Sequence, residues 1–149
     1  MATYYIDSCI WLNLFQKEGD PTKGVPFWAI ADDFVKKIIC AKESRVAHSS
    51  FVLKEVKYTL NDEALFYDYL FIVKKKLNSS YAYAISDDYD FARKLESESR
   101  FSISFFDCMH IALCKRLGFI LVTRDKKLIT FARRYIIVGL PEELFDQII

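Results

Sequence analysis

The sequence predicts one α/β domain over residues 1–149, a central parallel sheet with helices covering both of its faces. Three observations predict it. Short β-rich runs alternate with longer helical patterns from one end to the other, the alternation that builds parallel sheets through right-handed crossovers. Two of those runs, "FILV" at 119–122 and "YIIV" at 135–138, are apolar without a break, as strands buried on both faces are. No repeat, low-complexity tract or linker interrupts the pattern, and the length is that of a single ordinary domain.

In chain order, strand one covers Tyr4–Asp7, strand two Arg45–His48, strand three Tyr81–Ile85, strand four Phe119–Thr123 and strand five Tyr135–Val138. Helices are expected at Ile10–Lys17, Phe27–Lys42, Ser50–Leu60, Glu63–Leu77, Asp88–Ser97, Phe105–Leu117 and Lys126–Arg134. Their ends carry recognisable punctuation. Pro26 suits a first turn, Ser50 and Ser86-Asp87 are N-cap candidates, and Gly118 is placed as a C-cap before strand four. The closing "PEELFDQII" opens with Pro141 and two acids, which favours one more short helix. The segment "KEGDPTKG" (17–24) has the composition of the most flexible loop.

Composition narrows the function. Apolar residues make up 52% of the chain, which excludes disorder, and the 16% aromatic share points to apolar surface beyond one core, hence a subunit interface. A formal charge of +1 excludes a chain that grips nucleic acid by bulk charge, so an anionic partner must meet local basic patches. Cys9, Cys40, Cys108 and Cys114 follow neither CxxC nor zinc spacing and read as reduced, mostly buried thiols. Met1-Ala2-Thr3 lacks the basic opening of a signal peptide, and the apolar run Ala64–Val73 contains Asp68 and is too short for a bilayer. A soluble cytoplasmic domain with no membrane partner is expected.

Ligands of open α/β sheets sit beyond the carboxyl ends of the strands, where strand order reverses. Asp7 closes strand one, and Asp125 follows strand four in "LVTRDKK". Two further acids interrupt apolar helical faces: Glu55 in "SSFVLKEVKYTL" and Asp107 in "SISFFDCMHIALCKRLG". Each alone is explained as a first-turn acid favoured by the helix dipole. That explanation has to be used four times at one edge of the sheet. Four clustered carboxylates repel one another and raise each other's pKa values, a conflict that a hard divalent cation removes. Mg²⁺ or Mn²⁺ prefers carboxylate oxygen and supports phosphodiester hydrolysis.

The order "YYIDSCIWLNLF", Ser-led "SSFVLKEV", "FFDCMHIALCKRLG" and "ILVTRDKKLI" resembles the PIN-domain ribonucleases, especially VapC-like toxins, over nearly the whole chain. Asp-x-x-His-Ile-Ala followed by a strand and Thr-x-Asp is the most specific part. The resemblance implies an α/β/α fold with sheet order 3-2-1-4-5, Mg²⁺ or Mn²⁺, endonucleolytic cleavage of RNA, a homodimer and, for toxins, a protein antitoxin. It maps the family's four acids onto Asp7, Glu55, Asp107 and Asp125. Two departures stand out: Asp-Ser-Cys replaces the more usual Asp-Thr-Asn or Asp-Ser-Ser, and the segment 17–42 is longer than in the tightest toxins.

Supporting roles fall to Ser8, which can orient a ligand or cap a helix, to Asn13 in the first helix, and to Ser49 ahead of Glu55. Thr123 can steady Asp125 or a phosphate, and Arg124, with Lys126 and Lys127, can position phosphate. His110 shares a helical face with Asp107 but reads first as a packed, hydrogen-bonded histidine. Cys9 and Cys108 read as small core residues, Lys74–Lys76 and Arg133-Arg134 as solvated helix ends, and Tyr4, Tyr5, Trp11, Phe15 and Trp28 as packing rather than base-stacking residues. Receiver-like and haloacid-dehalogenase-like domains fit poorly: Asp7 stands alone, Cys9 occupies the third position of Asp-x-Asp, and "YIIVGLP" has no lysine. A non-catalytic PIN-like RNA-binding or scaffolding protein is the serious alternative, although such proteins usually lose acids that this chain retains.

Overall fold

The apolar strand at the N-terminus forms the middle of the sheet, with Tyr4, Tyr5 and Ile6 all fully buried. The computed structural model describes residues 1–149. Its elements are β1 (Ala2–Ile6), α1 (Ser8–Phe15), α2 (Phe27–Cys40), β2 (Ser44–His48), α3 (Ser50–Leu60), α4 (Glu63–Phe71), β3 (Ser79–Tyr81), α5 (Ser86–Glu98), α6 (Phe105–Leu117), β4 (Ile120–Val122), α7 (Lys126–Ala132), β5 (Val138–Gly139) and α8 (Pro141–Leu144). The five strands are parallel in the order β3-β2-β1-β4-β5, as the resemblance implies. The chain adds β2 and β3 on one side of β1, then crosses to the other side for β4 and β5. Strand order therefore reverses between β1 and β4, the place where such sheets bind ligands.

Aromatic contacts fix the helices that flank this seam. Trp11 of α1 packs on Tyr69 of α4 at 5.0 Å, and Phe51 of α3 meets Phe106 of α6 edge-on at 5.1 Å. Tyr4 meets Phe34 of α2 at 5.8 Å. Such pairs add about 0.5–1.5 kcal/mol each beyond the area they bury. Tyr4, Tyr5 and Trp11 thus belong to the core, Phe15 packs on Tyr69, and Trp28 lies under the Lys17 ammonium. The loop at 17–24 is less free than its composition predicts. Trp28 N–H donates to the Glu18 carbonyl, and Asp20 caps a 3-10 turn at Pro21–Lys23.

Several element bounds differ from the sequence expectation, each for a local reason. Strand three is Ser79–Tyr81 rather than Tyr81–Ile85, because its partner β2 ends at His48 and leaves Tyr83 and Ile85 without a ladder. Strand five is Val138–Gly139 rather than Tyr135–Val138, because the Tyr135 and Ile136 amides turn back to the Ala132 carbonyl and close α7. The helix expected to run to Leu77 ends at Phe71 and continues as a π-helical turn over Ile72–Lys76. Ser49, not Ser50, caps α3, and α5 begins at Ser86, with Asp88 accepting from the Ile85 amide. Gly118 does cap α6, in the left-handed region at φ 72°, which glycine enters without penalty.

Candidate functional site

Asp7 is the first residue past β1. Its backbone N–H still donates to the Val122 carbonyl of β4 at 2.9 Å, so the sheet itself places the residue at the reversal point. The carboxylate is only 4% exposed and held from both sides. Oδ1 accepts from the Ser8 amide at 2.7 Å and from the Ser8 hydroxyl at 3.4 Å. Oδ2 accepts from Thr123 Oγ1 at 2.8 Å and from the Cys9 thiol at 3.4 Å. Burial, then the charge of Asp7, pushes the Cys9 thiol far up, so it stays a weak S–H donor. Four donors on one buried carboxylate fix its orientation before any ligand arrives.

Glu55 and Asp107 approach from α3 and α6, and a histidine joins them. The His110 ring is fully buried, with Nε2 2.8 Å from Glu55 Oε1, 3.6 Å from Asp7 Oδ1 and 4.0 Å from Asp107 Oδ1. Its other nitrogen, Nδ1, lies 2.7 Å from the Tyr5 hydroxyl, which in turn lies 2.5 Å from Ser49 Oγ. A carboxylate can only accept, so Nε2 carries the hydrogen. In the neutral ring Tyr5 then donates to Nδ1 and Ser49 donates to Tyr5, a tautomer assigned from the network. Burial works against the charged ring, but the Glu55 hydrogen bond and the charges of Asp7, Glu55 and Asp107 outweigh it and raise the pKa of His110. Burial, followed by the charge of Asp7, lifts Asp107 to about 6.

The remaining candidates separate cleanly. Thr123 bridges the two strand ends, donating to Asp7 and accepting from the Asp125 amide at 3.2 Å. Ser8 and Ser49 both touch the network as capping residues. Asp125 is different: Oδ1 accepts from the Lys127 and Leu128 amides, so it caps α7 and stands exposed at the rim, outside the group around His110. Arg124 forks onto Glu142 of α8 at 2.9 and 3.1 Å and lies over the Phe27 ring, so it braces helices. Asn13 is buried and donates to Glu18, away from the acids. His110 is packed and hydrogen-bonded as expected, but its partners are the acids themselves.

Tyr5 and His110 pack as the sequence reading expects, but it did not join them to the acids. The signals were present. Tyr5 precedes Asp7 by two residues, hence on the same face of a strand, and His110 follows Asp107 by three, on the same face of a helix. Ligand atoms of Asp7, Glu55 and His110 all lie within 4.8 Å of one another. The cluster gathers three carboxylates against one imidazole, and Asp107 is raised first by burial and then by the charge of Asp7. A hard divalent cation suits that oxygen-rich set: within the 4.8 Å group Asp7 and Glu55 offer oxygen, while His110 is already committed to Glu55.

Comparison with known proteins follows from this geometry. The PIN domain family model matches residues 4–134. Among solved structures, that of VapBC2 from Rickettsia felis, bound to a promoter DNA fragment, contains a chain 18% identical to this one with a TM-score of 0.63. The match covers 93% of this chain and 98% of that one. PAE2754 from Pyrobaculum aerophilum matches at 18% identity and TM-score 0.61, covering 98% and 96%. VapC20 from Mycobacterium tuberculosis, described as a sarcin-ricin loop cleaving toxin, matches at 18% and 0.60, covering 85% and 93%. At such identities the likeness is one of fold. Comparison with curated protein sequences finds no match. No helix is long and apolar enough to cross a membrane.

Proposed function

Because this chain belongs to the PIN domain family, we propose that it is a divalent-metal-dependent endoribonuclease and the toxin of a toxin–antitoxin pair. The observation that carries the reading is the convergence of Asp7, Glu55 and Asp107 on His110 at the strand reversal. The toxin assignment is supported by fold neighbours solved as VapBC and Fit complexes and by VapC20, a loop-cleaving toxin. It carries with it a protein antitoxin, an RNA substrate and a homodimer.

When bound here, Mg²⁺ or Mn²⁺ lowers the pKa of a water and neutralises charge developing on a phosphodiester. The chain supplies the positioning. Asp7, locked by Ser8, Thr123 and Cys9, presents a carboxylate that needs no reorganisation. His110 holds Glu55 through Oε1 at the wall of the cleft, where Glu55 either would hold the ion or would orient the attacking water. Tyr5 and Ser49 fix the imidazole from behind, so the ring cannot rotate away from Glu55. Asp125 contributes charge from the rim through the oxygen not used in capping.

The test is cleavage of RNA by the purified protein with Mg²⁺ or Mn²⁺, its loss with EDTA, and its loss in Asp7→Asn with the circular dichroism spectrum unchanged. Chelator-resistant cleavage, or full activity in that variant, would falsify the metal site.

A further inference from the structure

The outer face of α3 continues the site into a basic trough. A cleft of about 590 Å³ opens between Glu55, Ser8, Leu12 and Phe106, and Lys54 and Tyr58 form its outer wall. Those two residues also line the next hollow, about 690 Å³, together with Lys57 and Asn61. The two hollows therefore join along one side of the helix. The ion pairs of the fold use Lys36, Arg93, Lys94, Arg116, Arg124 and Arg133, so Lys54 and Lys57 have no carboxylate partner. Tyr58 is 89% exposed, on the same helical face as Lys54 four residues before it. Asp62 and Glu63 line an adjoining hollow that shares Lys57 and Asn61 with this one.

Two ammonium groups without a carboxylate partner, that of Lys57 lying 5.8 Å from the Phe66 ring centroid, beside an exposed aromatic ring match what recognises unpaired nucleotides: cations on the phosphates and a ring on a base face. From Lys54 to Asn61 the helix rises about 10 Å, room for about three nucleotides at the 3.4 Å per-strand spacing of stacked bases. We propose that this trough is the track along which a single-stranded RNA segment enters the acid cluster, with Lys54 and Lys57 on phosphates and Tyr58 stacked on a base. The inference rests on the nuclease reading for its direction toward Glu55. The track itself is a matter of binding.

Fluorescence anisotropy with a fluorescein-labelled single-stranded oligoribonucleotide, in EDTA so that it stays intact, measures the track without catalysis. All three side chains are exposed, so their substitution leaves the core untouched. Tyr58→Ala is expected to weaken binding about tenfold, the scale of one lost base stack, and Tyr58→Trp to restore it. Lys54→Ala and Lys57→Ala should each reduce the slope of log affinity against log salt by about 0.7. A duplex of the same sequence should be insensitive to Tyr58→Ala. An unaltered protein that does not bind the oligonucleotide, or variants that bind it as tightly, would overturn the track and leave the face to a protein partner. Failure of metal-dependent cleavage with these binding results intact would remove the nuclease reading alone.

Discussion

The two sides of the strand reversal make a pair. On the β1 side, Asp7, Glu55 and Asp107 come from three elements and meet around a buried histidine. On the β4 side, Asp125 accepts from the first amides of its own helix, and Arg124 beside it is held by Glu142. Both sides show the same residue type at the mouth of a strand. The difference lies in what satisfies the side chain. Asp7 and Asp125 both accept from the first amides of the helix that follows, but only Asp7 also meets acids and an imidazole delivered by other elements.

The largest expected effect is the one that would erase this difference. Asp7→Asn is expected to lower RNA cleavage about a thousandfold, the several kcal/mol that metal-held charge contributes to such reactions. Asp125→Asn, which keeps a capping side chain, should lose far less. Equal losses measured under the same Mn²⁺ would put the two acids on one footing. Next comes the histidine. His110→Ala removes the donor that aims Glu55 and should weaken Mn²⁺ binding 10- to 100-fold by titration calorimetry, roughly the scale of lost outer-sphere partners. Unchanged affinity would reduce His110 to packing.

Asp107 gives a result of opposite sign for stability and for binding. A carboxyl lifted to about 6 favours the fold while protonated, and that advantage is lost as pH rises from the ordinary 3.8 through 6. At pH 7 the metal-free chain therefore carries a penalty of about 3 kcal/mol. Asp107→Asn should remove it, raising the melting temperature without metal while abolishing tight Mn²⁺ binding. In the unaltered protein Mn²⁺ affinity should fall about tenfold per pH unit below 6, as a proton competes for the same carboxylate. A pH-independent affinity between 5 and 7 would contradict the crowding. The smallest effect is on the other side: Arg124→Ala should cost about 1 kcal/mol of stability, read by urea unfolding, with cleavage retained. Loss of cleavage without loss of stability would return Arg124 to the phosphate role that its sequence position suggested.

Much of this was legible before the fold. Continuous apolar runs placed the sheet, and acids at strand ends and in first helical turns marked the edge where chemistry belongs. What the sequence withheld was partnership. Tyr5 looks like core because it is core, and only the docking of α6 against β1 brings His110 Nδ1 to its hydroxyl across 105 residues. Arg124 looks like a phosphate binder until α8 delivers Glu142 to it. The short strands three and five have separate non-local and local causes: Tyr83 and Ile85 run past the end of β2, while Tyr135 and Ile136 are drawn back to Ala132 at the close of α7. Propensity is local, and satisfaction is not.

The bond between Thr123 and Asp7 spans 116 residues, and Tyr4 of the first strand pairs with Ile120. The first acid of the cluster is thus made well before the residue that fixes it. During translation at about 5–20 residues per second, Asp7 leaves the ribosome seconds before β4 exists to hold it. Neither the sheet seam nor the hydrogen bonds around Asp7 can close before β4 and Thr123 have been made. On the proposed reading, the order of synthesis alone would keep the site inactive until β4 has emerged.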